Sequence, residues 1–222
     1  GGQAGDFGAV TRPGRRGARG KMVFVDLSQP WGAAVPLWPY STKPVVDTMH
    51  SRAKSGVLSQ KINVVQHSGT HADAPRHVME RDFAGNRTRY SHELPVDAYV
   101  GDAVCLDIKV EDWGLIKGEH LDDACERAHI KPEELKGMVV CLRTGMHLKY
   151  DDSKDYYHYS CGTGREAGNW FQKYMPKFVA MYMHALDHPL HPAMVKNGPT
   201  PMHLPRNPGT ALPEHYSSQF RI

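Results

Sequence analysis

An α/β fold, a mixed β-sheet with helices packed on it, is predicted by three features of the sequence. Three apolar runs, "AVCLDIKV" (103–110), "MVVCLRTG" (138–145) and "FVAMYMHAL" (178–186), have the length and residue types of buried strands. Amphipathic stretches lie between them: "EHLDDACERAHI" (119–130) sets Leu121, Ala124, Cys125 and Ala128 at helical spacing, and "GREAGNWFQKYM" (164–175) does the same with Ala167, Trp170, Phe171 and Tyr174. No internal repeat interrupts this alternation, which argues for a layered α/β domain.

The remaining elements follow in chain order. "VFVDLS" (23–28) is rich in strand formers and stops at the turn-forming "QPWG". "VPLWPY" (35–40) has two prolines and reads as an irregular or edge segment. "VLSQKINVVQ" (57–66) alternates and predicts a strand running into the segment that follows. "KPEELKG" (131–137) predicts a short helical turn closed by Gly137. Beyond residue 194, "VKNGPTPMHLPRNPGTALPEHYSSQFRI" is dense in Pro, Gly and Asn and reads as a long functional loop.

The 222 residues suit one domain, residues 22–222, preceded by a Gly/Arg-rich leader, residues 1–21, which has little to bury and is expected to be disordered. That leader holds five basic residues and one acid, so of the formal net charge of +3 the remainder carries only −1. A near-neutral body speaks against a nucleic-acid-binding domain; an RNA-associated role would rest on the leader alone. No run of 18 apolar residues is present, so no membrane-spanning helix is expected. The four cysteines form no C-x-x-C pair and no zinc pattern; Cys105 and Cys141 lie in apolar runs and read as buried thiols, and a cytoplasmic location is expected.

"HSGTHADAPRHV" (67–78) concentrates the chemistry, with His67, His71, Asp73 and His77 in eleven positions. Gly69 and Pro75 make a regular helix unfavourable there, and Ser68 stands where the H-E-x-x-H motif requires Glu. A tight turn at "SGT" folds His67 and His71 toward one point, and extended backbone from His71 puts Asp73 on the same side. Two imidazoles and a carboxylate suit Zn²⁺ or Mn²⁺. The rival reading is chance clustering of surface histidines, of which the chain has 14 in all.

The segment matches the His-x-Gly-Thr-His-x-Asp-x-Pro-x-His signature and so resembles the cyclase-like metal-dependent hydrolases, the family of kynurenine formamidase and isatin hydrolase. "VDLSQPWGAAVPLWPY", "ELPVDAYVGDAVCLDI" and "ALDHPLH" are similar to other family segments in the expected order, over roughly residues 23 to 192. The resemblance implies a swivelling β/β/α fold and one divalent metal, Zn²⁺ or Mn²⁺, on His67, His71 and Asp73, with His77 as catalytic proton shuttle. It implies hydrolysis of an amide, lactam, lactone or related carbonyl compound, a small-molecule substrate, and a homo-oligomer. A metal- or ligand-binding member without turnover is the alternative. Substrate contacts are expected from Trp38, Tyr40, His147, Asp187 and His188; Tyr150 is a further candidate, while Trp31 reads as core packing. Two departures stand out. Tyr182 occupies a position where relatives carry Asp, and His215, the possible late-site histidine, has no Glu after it, so the C-terminus is expected to be truncated or divergent and to lack the family's final strand.

Overall fold

The computed structural model describes residues 23–38, 41–77, 79–82, 85–186 and 219–221. Its centre is a five-stranded mixed sheet in the order β3 (Ala72–Asp73), β9 (Gln219–Arg221), β8 (Phe178–Met181), β6 (Val139–Arg143), β4 (Ala103–Asp107). β4, β6, β8 and β9 run parallel, and β3 is antiparallel to β9. Parallel neighbours need long crossovers, and helices supply them. α2 (Gly118–Arg127) joins β4 to β6, and α4 (Arg165–Tyr174) lies between β6 and β8.

Both helices pack on one face of the sheet because their apolar positions form a single stripe. Leu121, Ala124 and Cys125 of α2, and Ala167, Trp170 and Phe171 of α4, are buried against Val104, Leu106, Val140, Leu142 and Met181. Leu106, Leu121, Leu142 and Phe171 are wholly inaccessible, and burial of such side chains stabilises the fold by about 1.5–3 kcal/mol each. One polar tie crosses the helix pair, where Trp170 Nε1 donates to Asp122 Oδ1 at 2.7 Å. α4 ends where Met175 turns left-handed, at φ 55°, ahead of Pro176.

Two smaller sheets complete the description. β1 (Val45–His50) and β2 (Ser59–Asn63) form an antiparallel ribbon, linked through the short α1 (Arg52–Ser55). β5 (Leu115–Ile116) and β7 (Gly162–Thr163) pair in parallel just ahead of α2 and α4. α3 (Lys154–His158) starts at Ser153, whose Oγ accepts the Tyr156 N–H at 3.3 Å.

Several expectations are corrected. Residues 23–28 are not a strand: Val23, Phe24 and Val25 are exposed and no described strand edge pairs with them, so strand propensity alone does not order them. Cys105 is exposed and Cys141 only partly buried, because both lie on the sheet face turned away from α2 and α4. The segment after residue 194, read as a long loop, also contributes a short strand, since Gln219–Arg221 enters the sheet between β3 and β8. The leader 1–21 lies outside the described residues, as does the loop after residue 194 apart from 219–221.

Candidate metal centre

The register of the sheet places the histidine motif. Ala72 pairs with Phe220 and Asp73 with Gln219, while Phe220 pairs with Ala180. β3 is antiparallel to β8, so the chain before Ala72 lies beyond the carboxyl end of β8. That end of an α/β sheet is where ligands bind.

Gly69 makes the turn. Its φ of +63° lies in the left-handed region, and a Cβ there would stand 2.6 Å from Trp31 Cδ1. The turn brings His67 back over His71, and the short extended piece Ala72–Asp73 aims the carboxylate at both. Asp73 Oδ1 is 2.7 Å from His67 Nδ1 and 3.3 Å from His71 Nε2, and the two nitrogens are 3.2 Å apart. His71 Nδ1 lies 2.8 Å from the Gly69 carbonyl oxygen. A carbonyl only accepts, so Nδ1 carries a proton toward Gly69 and Nε2 is the ring nitrogen turned to the cluster.

These residues fit a divalent ion. With bonds of about 2.1 Å, two ligand atoms on one ion stand about 3.0 Å apart in octahedral and about 3.4 Å in tetrahedral geometry. Asp73 Oδ1 is buried and, despite its close neighbours, receives no well-directed hydrogen bond, as expected of an oxygen facing a cation site. Burial pushes the Asp73 carboxyl up, but the His67 contact, then that of His71, and their charge outweigh it and hold the group well below the usual carboxylate range. Among the described residues, His67, His71 and Asp73 are the group of three whose ligand atoms converge.

His77 stands apart from that donor set. It ends the 3₁₀ turn Pro75–His77, and its ring lies 4.0 Å, centroid to centroid, from that of His67. Pro75 is buried and turns the chain so that His77 comes back beside His67.

A small open cleft adjoins the turn, lined by Gln29, Pro36, Gly69, Thr70, Tyr150, Tyr156, Met183 and His184. His184 is buried, its ring stacked on Trp38 at 6.2 Å and met edge-on by Tyr156 and Tyr157. Tyr157 donates to Asp152 at 2.7 Å and accepts the Leu37 N–H at 3.2 Å; burial, then the Asp152 bond, pushes its hydroxyl up to about 12.

The expected substrate contacts divide accordingly. Tyr150 lines the cleft, whereas Trp38 stands behind it against His184. His147 is not in the cleft lining; its ring meets Tyr182 at 5.1 Å because the 3₁₀ turn Met146–Lys149 carries it there. Trp31 is not core packing: it is 43% exposed and lies against the histidine turn. Tyr40, Asp187, His188 and His215 lie outside the described residues. Gln29, Thr70, Tyr156 and Met183 were not anticipated; only Thr70, inside the motif, carried a signal in the sequence.

A family model described as "Putative cyclase" matches residues 25–188. The chain belongs to the cyclase family. Among curated relatives, this cyclase-family chain is 30% identical to kynurenine formamidase of Bacillus thuringiensis over 134 residues, 60% of the chain and 56% of that protein. It is 31% identical to kynurenine formamidase of Salinibacter ruber over 103 residues, 45% of each. The chain thus spans about half the length of the curated relatives it matches. Among solved structures, an isatin hydrolase bound to the product analogue thioisatinate superposes with a TM-score of 0.67 at 16% identity, covering 89% of this chain and 78% of that one. A potential metal-dependent hydrolase with cyclase activity gives 0.56 at 16% identity, covering 89% and 80%. At that identity the superpositions speak for the fold.

Proposed function

We propose that this cyclase-family chain is a metal-dependent hydrolase of an amide, lactam, lactone or related carbonyl compound, with the C–N bond of an amide or cyclic amide as its foremost target, in the manner of an arylformamidase. The observation that carries the reading is the convergence of His67 Nδ1, His71 Nε2 and Asp73 Oδ1, on a turn whose Gly69 and Thr70 line a cleft. Relatives named kynurenine formamidase support the substrate class, and the fold shared with an isatin hydrolase is compatible with it.

His67, His71 and Asp73 hold one divalent ion, Zn²⁺ or Mn²⁺; when bound it acidifies water and polarises a carbonyl. Asp73 offsets part of the ion's charge, and the Gly69 carbonyl keeps His71 in the tautomer that binds. His77 reaches the reacting atoms without occupying a ligand position and carries the proton to the leaving group. Tyr156, Met183 and Pro36 supply apolar wall to the cleft, and Gln29 and Thr70 supply polar edge.

The substrate is a small molecule. We infer a homo-oligomer from the exposure of Val45, Met49, Val57, Leu58 and Ile62 on and beside the β1–β2 ribbon, a surface that light scattering on the purified protein tests. A reducing, cytoplasmic setting is supported by the exposed Cys105 thiol; among the described residues, no helix is long and apolar enough to cross a membrane.

The experiment is turnover of a panel of aryl formamides, isatin-like lactams and simple lactones by protein loaded with Zn²⁺ or Mn²⁺. Hydrolysis that chelation abolishes and metal restores is the expected result. Metal binding without turnover of any member would support the non-catalytic alternative instead.

A further inference from the structure

Residues 29–31 are far from the histidine motif in sequence, yet Gln29 and Trp31 grip it at three points. The Gln29 N–H donates to Thr70 Oγ1 at 2.9 Å. Trp31 Nε1–H donates to Ser68 Oγ at 3.2 Å. The Trp31 ring lies so close to Gly69 that a Cβ there would stand 2.6 Å from its Cδ1. The strap is anchored in turn at its middle, where the Tyr150 hydroxyl donates to the Pro30 carbonyl at 3.0 Å. Ser68, Gly69 and Thr70 are the whole connection between His67 and His71, so all three residues of the turn are held from outside it.

We propose that Trp31 is a positioning residue for the metal centre. Its indole clamps the Ser68–Gly69 peptide in the left-handed turn, and the carbonyl of Gly69 then holds His71 Nδ1 at 2.8 Å with Nε2 aimed at the ion. The chain of action runs from the Trp31 ring to the Gly69 backbone to the His71 tautomer. Partners that orient a ligating histidine typically account for 10- to 100-fold in metal affinity. Trp31 acts one step further out, so its loss belongs at the lower end of that range. The close approach also explains the glycine twice over: position 69 needs a positive φ, and it needs the absence of a Cβ under the indole.

The inference rests on the metal reading above, and its test separates the two. Affinity for Zn²⁺ alone is measured by competition with a chromophoric chelator, for wild type, Trp31→Ala, Trp31→Phe and Ser68→Ala, alongside the thermal midpoint of each metal-free protein. Trp31→Ala should weaken Zn²⁺ binding about 10-fold and leave the metal-free midpoint nearly unchanged, because the side chain is 43% exposed. Trp31→Phe keeps a ring on Gly69 and loses the bond to Ser68, so it should match Ser68→Ala and recover most of the affinity. Equal affinity in Trp31→Ala and wild type overturns the proposal while leaving the metal reading intact. A metal-free midpoint that falls in step with affinity also overturns it, because the residue is then merely structural. No Zn²⁺ binding by wild type itself would defeat the metal reading instead.

Discussion

Asp73 and His77 sit four residues apart in one motif and face different tasks. The Asp73 carboxylate is buried, with an oxygen in the donor triangle, whereas His77 is exposed beside His67 and outside that triangle. His77→Ala should therefore leave metal content unchanged and lower kcat by about 10²–10⁴-fold, the usual contribution of general acid–base catalysis. Elemental analysis beside single-turnover rates reads this, and loss of metal from the variant would make His77 a ligand. His147 supplies a pH signature. Burial, then the Arg143 charge, holds its pKa below the ordinary imidazole value. Protonation is harder in the folded chain than in the unfolded one, so the unfolded state takes up more protons as pH falls through about 6.5 and stability drops. Urea unfolding at pH 7.5 and 5.5 should show a smaller acid loss in His147→Gln than in wild type; equal losses would remove His147 from the account.

Elements show where the sequence spoke clearly. α2 and α4 are legible because a single apolar stripe decides both their period and the face they bury, and the structure places Leu121, Ala124, Cys125, Trp170 and Phe171 in the core. Phe171 is wholly buried between α4 and the sheet; Phe171→Ala should cost about 3–5 kcal/mol, read by denaturant unfolding. Strands proved less legible. β1 was missed because its six residues are nearly all exposed and carry no buried face to impose alternation. Residues 23–28 carried strand propensity with no described edge to pair with, and propensity cannot supply a partner. Cys105 and Cys141 misled for a related reason, since an apolar run marks a strand but not which side of it the helices cover. The thiols test this. Burial pushes the Cys125 and Cys161 thiols up to about 11 and raises that of Cys105 as well, but Cys105 alone of the three is open to solvent. Alkylation at pH 8 followed by mass spectrometry should modify Cys105 first; prior labelling of Cys125 or Cys161 would contradict the packing of α2 and β7.

At the scale of the whole molecule, the sheet brings together a turn from one region and loop ends from three others. The donor set was readable because its members are neighbours in the chain and a glycine turn is enough to converge them. The cleft was not, because Gln29, Thr70, Tyr150, Tyr156, Met183 and His184 meet only through the order of the sheet and the loops that leave β6 and β8. Pairing of β9 between β3 and β8 is part of that order, and it holds Asp73 against the rest of the sheet. The central claim is that the donors His67, His71 and Asp73 make one ion site. Equilibrium dialysis of the chelator-stripped chain against Zn²⁺ or Mn²⁺, followed by elemental analysis, measures it most directly. Wild type should retain about one ion per chain, and Asp73→Asn, which exchanges a charged ligand for a neutral amide while keeping the side chain's shape, should retain almost none. A wild-type chain that emerges metal-free, or an Asp73→Asn chain that binds as much as wild type, would contradict the account.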